Sequence, residues 1–467
     1  MGIVKYELIL KSARVVDPTN EIDEVLDLGI ADGKIVEVGE DLPAVDAREL
    51  VDLEGLTAIP GVIDTHVHIR GPAHRMMARA GVCTALDMAD GGDVLRALPE
   101  LGAGLNVAAL QTMPAYEGPA PGREEGMKHI EKALEEGSIG IKLIGGHSPS
   151  SPAATERFIA LANEARSYVA FHVGSTETGS HLRGLLEAVE LAGKNCLHVA
   201  HVNSYLRGIT GDPAAEALEG LGAMAGKDNL VSESYLSVIN GTGGAIGDDG
   251  LPTSHVTRNC LKMRGYTPDR DGLERAIADG YGLVQVLEGG HTVLVTGSEG
   301  VAVWKDRGTD VSMSFPVNKP EASFLCATRK DDRDQFVVDA ISTDGGGIPR
   351  NVAVEYGLSL VRYGALTMGE FVHKTSRAGA LMLGLKDKGH LGVSADADLT
   401  IIDEEVGRAV MTVVGGRIVM AHGIVYGTGG TIITTPKGER AAREVGAGVV
   451  VVEPEDFLLF NKSKTSL

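Results

Sequence analysis

IGIKLIGGHSPSSPAATERFIALANEARSYVAFHV, residues 139–173, reads as strand, loop, helix and strand in succession. IGIKLIGG is a short apolar run closed by glycines. SPAATERFIALANEAR (151–166) opens with a Ser-Pro helix start and repeats apolar residues at helical spacing. YVAFHV is the next apolar run. The same texture recurs outward in both directions. Strand-like runs include TALDMA, NVAALQTM, CLHVAHV, LVSESYLSV and VVDAIST, and amphipathic stretches include EGMKHIEKALEEG and SHLRGLLEAVELAG. Strand–helix alternation over about 300 residues implies parallel strands with helical crossovers, which a closed (β/α)8 barrel satisfies economically.

The flanks differ. ELILKSARVVD, VLDLGIADGKIVEVG and ELVDLEGLTAIP near the start, and ADLTIID and AVMTVVGGRIVMAHGIV near the end, read as short strands joined by tight turns. Neither segment alone can bury a good core, so one β-sandwich built from both termini is expected. The predicted fold class is therefore α/β: a TIM barrel at 61–389 with a small composite sandwich from 1–60 and 390–435. Residues 240–335 are irregular and Gly-rich, as in GTGGAIGDDG, and read as a lid or an oligomer contact. Residues 436–467, ending in NKSKTSL, read as a C-terminal arm or frayed tail.

The chain has 467 residues, well beyond the roughly 250 of a lone barrel. Its net charge of −21 opposes binding to nucleic acid or anionic membranes. No run approaches the roughly 20 apolar residues of a membrane span. The start, MGIVKYE, lacks a secretory pattern, and Tyr6 argues against myristoylation, so a cytoplasmic protein is expected. Cys83, Cys196, Cys260 and Cys326 are scattered and suggest neither a disulfide framework nor a zinc ribbon.

Chemistry-bearing residues collect where the strand-like runs end. His66 and His68 of DTHVH share one strand face and would form half a metal site, although two satisfied histidines at a strand end fit equally. Lys142 is embedded in an apolar run, costly unless paired, chemically changed or snorkelling. His172 ends YVAFHV. His198 and His201 are three apart in CLHVAHVNS, so only one is expected to reach a shared site. Asp344 runs into Gly345-Gly346-Gly347, where a lone Asp would otherwise cap a turn. Barrel enzymes draw catalytic groups from the C-terminal ends of several strands, and this recurrence matches that rule.

PGVIDTHVH, IGIKL, AFHV, HVAHVNS, STDGG and ADADLTIID, in this order, resemble the amidohydrolase superfamily, in the style of its dihydroorotase, hydantoinase and formylmethanofuran-dehydrogenase A-like branches. The resemblance implies a hydrolase that cleaves an amide-type C–N bond with metal-bound hydroxide. It implies two divalent metals, with zinc first and Co, Mn, Fe or Ni accepted by the same donors. His66 and His68 match the first metal pair, and Lys142 matches the lysine that CO2 carboxylates into a bridge. His172 and His201 match the second metal's ligands, and Asp344 the aspartate that binds metal and moves the proton. His198 matches no ligand and is expected either to support the ligands from behind or to be structural.

HVHIRGP resembles the dihydroorotase segment whose arginine holds a substrate carboxylate. Arg70 is thus a substrate candidate, or else a structural partner of Asp64 or Asp87. Asn203 and Tyr205 follow His201 and could reach substrate. Arg207 and the Ser234-Tyr235 pair are weaker candidates. The glycines after Asp344 depart from the histidine-bearing continuation of dihydroorotases and argue against pyrimidine ring opening. Lysine rather than cysteine at the bridge argues against a D-aminoacylase-like centre. The substrate class stays open among cyclic amides, N-acyl or N-formyl amines, ureas and carbamates. Family habit implies a homo-dimer or homo-tetramer. An inactive scaffold and a one-metal deaminase-type enzyme are the alternatives.

Overall fold

In the computed structural model, which describes residues 5–462, the 139–173 segment is a strand (Gly140–Leu143), a helix (Pro152–Glu164) and a parallel strand (Tyr168–Phe171). Ser151 caps the helix by accepting the Ala154 amide, and Pro152 takes the first helical position, where its missing N–H costs nothing. Ala154, Phe158 and Ala162 recur every four residues and are buried, which lays one face of the helix on the sheet.

Eight strands repeat this arrangement: Val62–His68, Val82–Asp87, Ala103–Thr112, Gly140–Leu143, Tyr168–Phe171, Leu197–Val199, Leu230–Tyr235 and Ala340–Ser342. Each pairs in parallel with the next. The barrel closes through Gly345–Gly346, which pairs with Val67 and His68 of the first strand. The triple glycine has its physical reason here. Gly346 has φ +69°, and a Cβ on it would lie 2.4 Å from the His68 carbonyl oxygen. Gly346→Ala is expected to cost on the order of 2 kcal/mol. Thermal unfolding should show this as a melting temperature several degrees lower.

The composite β domain is one curled nine-stranded sheet. Leu399–Asp403 from the C-terminal part pairs antiparallel with Thr57–Pro60 from the N-terminal part, Ile402 opposite Thr57. Leu8, Leu10, Val15, Leu28, Ile30, Ile401 and Val413 fill its core. The ADADLTIID segment also ties this sheet to the barrel. Asp398 accepts from Asn106 of the third barrel strand at 2.9 Å and from buried Lys388 at 2.6 Å.

Two expectations change. Between the seventh and eighth strands the chain is not irregular. It forms a lobe with a four-stranded sheet (Thr242–Gly243, Ser312–Ser314, Leu283–Glu288, His291–Val295). Helices His255–Met263, Arg270–Ala278 and Gly297–Asp306 surround a core of its own around Trp304, Phe315 and Ile277. The expected arm at 436–467 is docked along its described part. Gly429–Thr434 pairs with the third barrel strand and with Gly448–Val451. Phe457, Leu458 and Leu459 are buried in the main core, with the Phe457 ring 5.4 Å from Tyr168. Met1–Val4 and Ser463–Leu467, on which the start and end readings partly fell, lie outside the described residues. No helix among the described residues is long and apolar enough to cross a membrane.

Candidate metal and catalytic site

The site lies at the C-terminal mouth of the barrel, where the strand ends converge. His66 is buried on the first strand, its Nε2 3.5 Å from Asp344 Oδ1, and His68 Nε2 stands 3.1 Å from the same oxygen. Ligand atoms of His66, His201 and Asp344 lie within 4.8 Å of one another. The His201 ring packs 4.9 Å from His66 and 4.4 Å from His172. Two of these donors sit on left-handed backbone, His201 at φ +33° and Asp344 at φ +49°. Such conformations are uncommon outside glycine and concentrate where function holds them.

Several polar atoms here lack a hydrogen bond although buried. Among them are His201 Nδ1 and Asp344 Oδ1. Buried polar atoms are normally paired, so imidazole and carboxylate atoms that converge unpaired fit a shared cation. Lys142 belongs to the same picture. It is fully buried, its Nζ reaches only the Met88 thioether, at 3.6 Å, among the described residues, and burial lowers the amine to about 8 against the pull of Glu233, Asp344 and Asp87. That shift enlarges the fraction of neutral amine, the nucleophile that CO2 carboxylation requires. His172 Nε2 contacts Ser180 Oγ at 3.2 Å, which leaves Nδ1 as its other donor atom. The residues present therefore fit divalent metal, with His66, His68, Lys142, His172, His201 and Asp344 as the available donors.

The electrostatics are arranged by residues that the sequence reading passed over. Glu233, on the seventh strand, accepts from His66 Nδ1 at 2.6 Å, the His201 amide at 2.7 Å and Ser342 Oγ at 2.6 Å. Burial opposes its charge, but His66 and His198 outweigh that and hold its carboxyl below the usual range. The bond to Nδ1 fixes the tautomer that presents His66 Nε2 to the site. Glu233→Gln is expected to weaken zinc binding 10- to 100-fold while the fold persists, measured by competition with a chromophoric chelator. A carboxylate inside the apolar run LVSESYLSV was the available signal.

Arg350 plays the corresponding part for Asp344. Its Nη2 lies 2.7 Å from Asp344 Oδ2, its Nη1 donates to the Ile239 carbonyl, and the guanidinium rests 4.7 Å over the Tyr235 ring. Burial alone would raise the Asp344 carboxyl, but Arg350, then His66, His68 and His201, hold it well below the usual carboxylate range. Asp64 braces the first strand. It accepts from the His66 amide and from the Thr343 hydroxyl and amide, and burial pushes its own carboxyl up to about 7. His198 stands apart from the donors, its Nδ1 3.1 Å from the Tyr168 hydroxyl and its Nε2 3.6 Å from Glu233.

The substrate-side candidates are placed differently from their reading. Arg70 follows the end of the first strand, is 65% exposed at its side chain and pairs with Asp90, not with Asp64 or Asp87. Tyr205 is fully buried. Its hydroxyl accepts the Val173 amide at 2.8 Å, and its ring packs on His172 and His201, so it braces the histidines. Asn203 is buried too and accepts the Tyr235 amide through Oδ1. Tyr235 links Ser204 and Asn318 through its hydroxyl. His147, absent from the sequence candidates, lies edge-on 4.7 Å from His172 and is lowered to about 4 by burial and then by His68.

No family model matches the chain. A dihydroorotase of Geobacter metallireducens is 24% identical over 464 residues, covering 88% of this chain and 99% of the relative. Among solved structures, the fold is shared with N-acyl-D-glutamate deacylase from Bordetella bronchiseptica, complexed with zinc and a phosphonate inhibitor that mimics the tetrahedral intermediate. That pair has a TM-score of 0.67 at 16% identity and covers 92% of this chain and 99% of that one. A D-aminoacylase, described as defining a novel subset of amidohydrolases, gives a TM-score of 0.65 at 19% identity, covering 91% and 99%.

Proposed function

We propose that this chain is a hydrolase of the amidohydrolase superfamily, cleaving a C–N bond, other than a peptide bond, in a small amide-type molecule. Cyclic amides, N-acyl or N-formyl amines, ureas and carbamates share the chemistry that the site can perform. The observation that carries the reading is the convergence of His66, His201 and Asp344, whose ligand atoms gather within 4.8 Å at the barrel mouth.

His66, His68, His172, His201, Asp344 and a carboxylated Lys142 would hold two divalent ions. Metal bound there supplies a Lewis acid for the scissile carbonyl and lowers the pKa of the attacking water. The residues supply the rest. Arg350 keeps Asp344 ionised, so its free oxygen can take the proton from the attacking water. Asp344 then gives that proton to the departing nitrogen, which leaves as a neutral amine. Glu233 orients His66, and Tyr205 and Asp64 keep the strand ends from shifting. Carboxylation joins the Lys142 Nζ to CO2 and releases a proton, converting a buried amine into an anionic ligand.

A one-ion variant of this reading draws on the same cluster, because the tight group comprises three donors and leaves out His68 and His172. Metal content per chain of gently purified protein separates the two. About two ions per chain, with turnover on a panel of cyclic and N-acyl amides, supports the binuclear hydrolase. One ion supports the mononuclear enzyme. No metal, with no activity after adding zinc and bicarbonate, overturns both. We place the enzyme in the cytoplasm, acting on a dissolved metabolite.

A further inference from the structure

Five cationic side chains are buried among the described residues: Lys142, Arg207, Arg350, Lys374 and Lys388. A buried charge must be paired, neutralised or supplied with an outside counter-ion. Arg350 pairs with Asp344, and Lys388 with Asp396 and Asp398. Lys374 donates to the Val338 carbonyl, and burial lowers its amine to about 7. Lys142 is the amine that the reading above has carboxylated, and Lys374 loses its proton far more readily than a free lysine. A guanidinium cannot shed its proton in the same way.

Arg207 is 8% exposed, and among the described residues no carboxylate pairs with it. Its Nε donates to Asn318 Oδ1 at 2.9 Å. That amide is held in one orientation, because Asn318 Nδ2 donates to the Tyr235 hydroxyl, the Ser237 carbonyl and the Ile239 carbonyl. Nothing among the described residues accepts a hydrogen bond from the two terminal nitrogens. The guanidinium lies beside the site, since its partner Asn318 also donates to the Tyr235 hydroxyl and the Tyr235 ring packs 6.5 Å from His201. Arg70, the sequence candidate for holding a carboxylate, is already paired with Asp90 and mostly in water.

We propose that Arg207 is the anion subsite of this enzyme. Its two free Nη groups would hold the carboxylate of the substrate at the junction of the barrel mouth and the 242–317 lobe. The proposal rests on the hydrolase reading above and narrows its substrate class to amides that carry a carboxylate. A planar guanidinium with both terminal nitrogens open matches a carboxylate in bidentate fashion. Desolvation makes that pairing stronger than it would be for exposed Arg70.

The test measures binding rather than turnover, so a failure of the hydrolase reading leaves it intact. Zinc-loaded protein is titrated calorimetrically with racemic N-acetylalanine and N-acetylglutamate, and with the corresponding uncharged carboxamides. Wild type is expected to bind at least one carboxylate tenfold or more tightly than its carboxamide. Arg207→Met should remove that preference at unchanged zinc content, and Arg70→Met should keep it. Arg207→Lys, which retains the charge without the fork, should keep only part of it and serves if the Met variant does not fold. Equal binding of carboxylates and carboxamides by wild type overturns the proposal. So does a preference that survives in full in the Arg207 variants or disappears with Arg70→Met.

Discussion

Asp344→Asn is expected to lower kcat/KM by roughly 10³-fold, within the range that one positioned proton-transfer group contributes. Asparagine has nearly the same shape, so the backbone at φ +49° and the closing glycines need not move. It cannot take the proton of the attacking water, and its amide cannot replace the ion pair with Arg350 at 2.7 Å. Metal content should stay close to that of wild type, because the imidazoles and Lys142 are untouched. Steady-state kinetics alongside metal analysis separate the two effects. Near-normal turnover would remove Asp344 from the proton-transfer role, and loss of metal in parallel with activity would make it a ligand first.

Lys142→Met should have the second largest effect, and it should act in opposite directions on function and stability. Activity is expected to fall at least 100-fold, with about half of the metal lost, because methionine cannot be carboxylated into a bridging anion. Reconstitution of metal-free wild type should gain activity with added bicarbonate, whereas the variant should not respond. The metal-free variant should nevertheless be the more stable protein. The folded Lys142 amine is lowered to about 8 from the ordinary 10.5, so the unfolded chain binds the proton more tightly. The resulting penalty is fully present below pH 8 and disappears as pH rises past 10.5. Methionine removes it. The stability gap between variant and wild type should thus be widest near neutrality and close at high pH, read from denaturant unfolding at several pH values. A gap that does not change with pH would contradict the buried-amine account.

The barrel was legible from its alternating runs, and its geometry turns the strand ends that carry the candidate donors into neighbours. Lys142 and His172 could be read from one strand–helix–strand unit. Arg70 was a candidate through the resemblance of HVHIRGP, and the local backbone places it away from the strand face. Val62–His68 stops at His68, and beyond it the chain turns toward Asp90. Glu233 was missed because its partner His66 lies 167 residues away, and no local pattern announces that distance. The 242–317 lobe was opaque for a related reason. Its two-residue strand Thr242–Gly243 pairs with Met313 and Ser312, so neither strand is long enough to show a period of its own. The docked C-terminal segment was misread because only a few apolar residues, Phe457 to Leu459, carry its attachment to the core.

The pairing of Thr57 with Ile402 bears on how the protein is made. The strand that completes the first sheet is synthesised 345 residues after its partner, which at about 5–20 residues per second is a wait of roughly 20 to 70 s. Throughout that interval the nascent chain carries the long strands Tyr6–Asp17 and Ile22–Ala31 with an open edge at Thr57–Pro60. Unpaired edges of that kind invite pairing with other chains. Production of this protein should therefore depend on a chaperone that shields the growing chain, and a truncation ending before Leu399 should collect as aggregate rather than as a smaller folded barrel.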